Sequence, residues 1–81
     1  MDYIATFYSH YGAIRYHSIC KDLGIASKMM PVPRSLSSSC GTCVSYQADR
    51  FDIILPIPEE VEQIAVKDGK SYELLYKAEN A

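Results

Sequence analysis

Between Pro31 and Cys43 the chain can continue neither of the two regular backbone structures, and this interruption limits what the flanks can build. Pro31 and Pro33 lack the amide hydrogen that a helix or a ladder needs, and Pro33 pushes Val32 to an extended shape. Ser35, Ser37, Ser38 and Ser39 favour local bonds to their own backbone. The run Pro31-Val32-Pro33-Arg34-Ser35-Leu36-Ser37-Ser38-Ser39-Cys40-Gly41-Thr42-Cys43 therefore predicts a loop. It holds two of the three cysteines and two of the four prolines.

The flanks read as short regular elements. Tyr3 to Tyr8 is β-branched and aromatic, which predicts a central strand. Ser9 can cap a helix, and Ala13, Tyr16, Cys20 and Leu23 give it one apolar face. Gly24 supplies the left-handed stop. Ile25 to Met30 predicts a second strand and Thr42 to Tyr46 a third. Phe51 to Ile57 is apolar but broken by Pro56 and Pro58, and fits a short extra strand or a packed connection. Pro58-Glu59-Glu60 has the signature of a helix start, with Val61, Ile64 and Ala65 as its apolar side and Glu59, Glu60 and Glu62 as its solvated face. Lys67 to Lys70 is a turn, Ser71 to Tyr76 a last strand, and the tail after Lys77 is expected to fray.

The predicted order is strand, helix, strand, strand, helix, strand. That is the ferredoxin-like split βαβ pattern, an α+β two-layer sandwich (β-α-β-β-α-β) on an antiparallel sheet. Its third strand lies between the first two. This topology places Arg34 to Gly41 near Ser9, His10, Tyr11 and Gly12, with the turn Asp68-Gly69-Lys70 at the same end. Cys40 would then lie near the positive end of a helix, with Arg34, His10 and Lys70 in range, and each favours thiolate over thiol.

Size and charge narrow the functions open to such a chain. Residues 1–81 suffice for a single domain with a thin core, and pairing in a homodimer through a sheet face or edge strand would hide leftover apolar surface. Net charge is −2, from 8 basic and 10 acidic residues. With no basic stretch, nucleic acid is not an expected partner. Nor is a membrane, because no run approaches the ~20 apolar residues of a span. The opening residues show no leader pattern, so the expected location is the cytoplasm, where an odd number of cysteines argues against a disulfide framework.

Cys40-Gly41-Thr42-Cys43 is a C-x-x-C pair, and several chemistries use that spacing. Thiol–disulfide exchange is one, although the motif there opens a helix and here precedes strand-like residues. Zinc is another, but two thiolates fill only half a structural site, so the metal would be shared between subunits; within one chain no metal ligand set is expected. A third is carriage of sulfur or selenium on one cysteine, with the other resolving it and with Ser37, Ser38, Ser39 and the Gly41 backbone holding the anion. The plainest reading is two small residues packed at the start of a strand. Cys20, in the helix stripe, reads as core. A module that binds a small anion or a partner's carboxylate through Arg34 and the helix start is the rival from another class.

The stretch Pro31 to Gly41, with Tyr3 through Ser9 followed by Ala13, resembles a bacterial family of small proteins described as selenium/sulfur carrier-like, domain of unknown function 3343. The similarity extends over most of residues 2 to 76. The resemblance implies that Cys40 carries a covalent persulfide or its selenium analogue and that no other cofactor is needed. It also implies a donor or acceptor protein as partner, and a carrier or binding role more than an enzymatic one. Arg34 and Ser37 to Gly41 are the motif positions. Cys43 stands where an apolar residue is common in the family, which makes a redox or release role for the pair more plausible.

Overall fold

A computed structural model describes residues 1–79 of the chain. The elements run β1 (Asp2–Phe7), α1 (His10–Asp22), β2 (Ser27–Pro31), β3 (Thr42–Gln47), β4 (Val61–Asp68) and β5 (Ser71–Lys77). The strands form one antiparallel sheet in the order β2-β3-β1-β4-β5. β3 does insert between β1 and β2, as the sequence predicts. The β-α-β-β-α-β arrangement does not hold: residues 61–65 are strand, α1 is the one helix among the described residues, and a fifth strand extends the sheet.

The main cluster of buried side chains lies on the face toward α1. Alternation along β1 sends Tyr3, Ala5 and Phe7 toward α1, where they meet Val44 and Tyr46 of β3 and Ile64 and Val66 of β4. Ala13, Tyr16 and Cys20 of α1 close over them. The rings form a tilted chain: Phe7 to Tyr16 at 5.3 Å, Tyr16 to Tyr46 at 5.5 Å, and Tyr46 to Tyr3 at 5.4 Å. Such tilted contacts suit the ring quadrupoles.

The segment between β3 and β4 is a packed connection and not an extra strand. Ala48, Phe51, Ile53, Ile54 and Ile57 pack against the core without regular structure. The Tyr46 hydroxyl donates to the Phe51 carbonyl at 2.7 Å and pins this segment to the sheet. Pro58 and the acids after it form a turn closed by the Val61 amide on the Pro58 carbonyl, 3.0 Å. Arg15 of α1 pairs with Glu60 at 3.0 Å. A Cβ at Gly12 would stand 2.6 Å from Glu60 Cβ, so α1 can lie this close only because residue 12 has no side chain.

α1 begins as predicted, with Ser9 Oγ accepting from the Gly12 amide at 3.2 Å. It stops at Gly24, whose φ of 73° is left-handed. The expected tail after Lys77 keeps a bond at Ala78, whose amide donates to the Glu62 carbonyl at 3.0 Å; residues 80–81 lie outside the described residues. No helix among the described residues is long and apolar enough to cross a membrane.

The pairing of β4 with β1 carries an irregularity. Thr6 stands opposite Gln63 and Phe7 opposite Val61, so Glu62 has no partner in register. That is a β-bulge, which bends a strand and re-aims a side chain. Val61 and Ile64 both reach the core. Glu62 and Gln63 both turn to the sheet's other side, where each contacts the loop between β2 and β3.

Ile64→Ala tests whether β4 is a core strand. Ile64 is 1% exposed, so the truncation is expected to cost about 2–5 kcal/mol in urea unfolding. A loss under about 0.5 kcal/mol, typical of surface substitutions, would contradict the assignment.

Candidate functional site

The loop between β2 and β3 leaves the sheet at Val32 and returns at Gly41, and the Val32 amide closes its base on the Gly41 carbonyl at 3.1 Å. A turn held by the Leu36 amide on the Pro33 carbonyl follows the second proline. β1 ends and α1 begins at the same rim. His10 Nδ1 and Thr42 Oγ1 share a hydrogen bond of 3.2 Å. Ser38 Oγ lies 3.3 Å from the Phe7 carbonyl. The expected neighbourhood of the loop and the start of α1 is therefore present.

The turn at Asp68 to Lys70 lies at the opposite end of the sheet. β4 runs antiparallel to β1, so its Asp68 end sits beside the start of β1, away from the loop. Lys70 is thus removed from the set of cations near Cys40. The error follows from reading residues 61–65 as helix, which sends the chain to the wrong end. Arg34 is exposed at the loop's outer turn. Among the described residues its guanidinium takes part in neither of the two ion pairs.

The loop is held by β4. Ser38 Oγ lies 2.9 Å from Glu62 Oε1, the Ser39 amide donates to the same oxygen at 3.2 Å, and Ser39 Oγ donates to Oε2 at 2.9 Å. Thr6 Oγ1 adds a bond of 3.4 Å from β1. Gln63 Nε2 donates to the Ser37 carbonyl. Ser38 has one hydroxyl proton and two acceptors in reach; the shorter contact and the full charge favour Glu62 over the Phe7 carbonyl. The same Ser38 oxygen accepts from the Cys40 amide at 3.3 Å. Burial pushes the Glu62 carboxyl up, but the bonds from Ser38, Ser39 and Thr6 outweigh it and hold the group below the usual glutamate range.

The sequence reading took Ser37 to Ser39 as a cradle for a foreign anion and Glu62 as part of a solvated helix face. The structure gives Ser38 and Ser39 to the chain's own carboxylate. Together with Lys77, these residues line a shallow hollow of about 350 Å³. Glu62, Gln63 and Thr6 were missed because their partners lie more than twenty residues away. The nearest local signal was the polar pair Glu62-Gln63 set inside an apolar run.

The three thiols differ in access. Cys20 and Cys43 are both 0% exposed, while Cys40 is partly exposed. Cys20 fits the core role that the sequence assigned. Burial raises its thiol pKa, against a smaller lowering by Ser27. Cys43 Sγ donates weakly to the Pro31 carbonyl at 3.6 Å, and burial pushes its thiol up to about 11. Gly41 is exposed, and a Cβ there would meet nothing within 4 Å, so no close contact demands glycine. No group of three or more His, Cys, Asp and Glu side chains among the described residues is placed to hold a metal ion.

A family model described as "Putative Se/S carrier protein-like" matches residues 2–77. No curated protein and no solved structure matches the chain.

The burial pattern predicts the order of thiol labelling. In native protein one thiol, Cys40, is expected to react fast with an alkylating reagent, and all three to react in urea. Peptide mapping of briefly treated protein reads this. Label on Cys20 or Cys43 at the same rate as on Cys40 would contradict it.

Proposed function

We propose, from the premise that this chain belongs to the Se/S carrier protein-like family, that it carries a sulfur or selenium atom on Cys40. The observation that carries this reading is that Cys40 alone of the three thiols is partly exposed while the other two are buried, and it stands on a loop tied down on both sides. A carrier needs a nucleophilic sulfur that a second protein can reach. It also needs that sulfur in a fixed place.

The exchange is a transfer between two thiols. The Cys40 thiol and a partner's persulfide anion, R–S–S⁻, are the reactants. After the thiol proton is lost, Cys40 Sγ attacks the partner's outer sulfur. An Sγ–S bond forms and the partner's S–S bond breaks. The partner leaves as R–SH, taking up the proton, and Cys40 keeps the outer sulfur as Cys40–S–S⁻. No external oxidant or reductant enters the balance. The reverse exchange on an acceptor thiol unloads the cargo, and a selenium atom in place of the outer sulfur follows the same path. The partner is thus a protein or small thiol bearing a persulfide or its selenium analogue.

Within this reading His10 and Thr42 fix the helix side of the loop, and Ser37 to Ser39 fix its sheet side. Arg34, exposed at the outer turn, is free to meet an anionic patch on the partner. Cys43 is a buried residue of β3. Its burial and raised pKa give the C-x-x-C disulfide reading less support, because a resolving thiol must be able to form thiolate. The anion-binding alternative loses the serine donors to Glu62.

Incubation with a low-molecular-weight persulfide, followed by intact-mass and peptide analysis without reductant, tests the proposal. The expected result is a gain of one sulfur atom on the Cys40 peptide, lost in Cys40→Ser and kept in Cys43→Ala. No gain on Cys40, or a gain that survives Cys40→Ser, would overturn it.

A further inference from the structure

The bulge at Glu62 costs the β1–β4 ladder a regular pair, and it sets a carboxylate at the sheet rim. Bulges collect where a side chain has to be re-aimed. Here the re-aimed group receives bonds from two residues of the loop that bears Cys40. Ser38 then hands the constraint on, because its oxygen also accepts the Cys40 amide. Cys40 is two hydrogen bonds from Glu62, and both run through Ser38.

We infer that Glu62 is a positioning residue for Cys40: through Ser38 and Ser39 it clamps the loop in the shape that fixes the thiol at the sheet rim and leaves it only partly exposed, and loss of its charge releases the loop and opens the thiol further. The inference rests on the carrier reading in taking Cys40 as the working thiol. Four hydrogen bonds converge on this one carboxylate, and three of them come from the loop itself. Gln63 repeats the direction of the grip one residue on. Bonds to a charged acceptor are the strong ones, so the clamp weakens when the carboxylate is neutralised.

The pH at which it opens follows from the groups around Glu62. β1 faces it with Thr6, the residue after β1 with Tyr8, the loop with Ser38 and Ser39, and β5 with Lys77. A lysine stays cationic and a tyrosine neutral throughout the acid range. Glu62 is therefore the group of this set that changes charge there. Its folded pKa is lowered, so the clamp's contribution is fully present above the unfolded glutamate value. It is lost as pH falls through the folded one.

The test follows Cys40 labelling in the intact protein with dithiodipyridine, a disulfide reagent that still reacts in acid, with rates corrected for thiolate fraction. Glu62→Ala is expected to speed Cys40 labelling about tenfold at neutral pH, the rate equivalent of one charge-assisted hydrogen bond. The double variant Ser38→Ala, Ser39→Ala keeps the charge and is expected to speed it similarly. Glu62→Gln, which keeps an acceptor without the charge, is expected to fall between. The wild-type rate is expected to rise in an acid step that all three variants lack. Wild-type rates in both Glu62→Ala and the serine double variant, or an acid step that survives Glu62→Gln, would overturn the inference. The labelling involves no sulfur transfer, so the two readings fail separately. Flat labelling with intact persulfide loading strikes the clamp, and failed loading with the labelling step intact strikes the carrier.

Discussion

The antiparallel pairing of β4 with β1 is the constraint from which the rest of the structure follows. It adds a strand beside the most buried strand of the sheet and completes the core with Val61, Ile64 and Val66. It runs β4 away from the rim, which places β5 at the sheet's edge and Lys70 at the far end. Its irregularity at Glu62 sends two consecutive polar side chains to the same side. A regular strand would have alternated them, leaving the loop one anchor in place of two.

The same bulge explains where the sequence misleads. Val61 and Ile64 are three apart, which is helical spacing, and Pro58-Glu59-Glu60 precedes them in the manner of a helix start. In a regular strand, residues three apart face opposite sides. Here the extra residue brings both to the core, so a strand imitates a helix period. The β-branched residues Val61, Ile64 and Val66 carried the competing signal. β1, α1 and its caps, β2, β3 and β5 were legible to within a few residues, because their patterns are local: alternation, a serine cap, a glycine stop. The covering of the core by Phe51 to Ile57 was legible only as an apolar run, since nothing local fixes an irregular segment.

At the candidate site, locality again divides what could be read from what could not. The loop, its base near the start of α1 and the core role of Cys20 follow from residue types and topology. The use of the serines does not. Three adjacent hydroxyls announce donors, but whether they await a ligand or hold a side chain depends on which residue the fold brings beneath them. Here it brings Glu62. Of the cations expected near Cys40, Lys70 lies at the far end of the sheet, and the loop that bears Cys40 is gripped through a carboxylate.

Glu62's grip on the loop can be watched directly by following its side-chain carboxyl carbon and the Ser39 amide together by NMR as the protein is acidified. The account predicts a Glu62 midpoint below the usual glutamate range, with the Ser39 amide, which donates to that carboxylate, shifting at the same pH. An ordinary midpoint for Glu62, or a Ser39 amide indifferent to its titration, would contradict it.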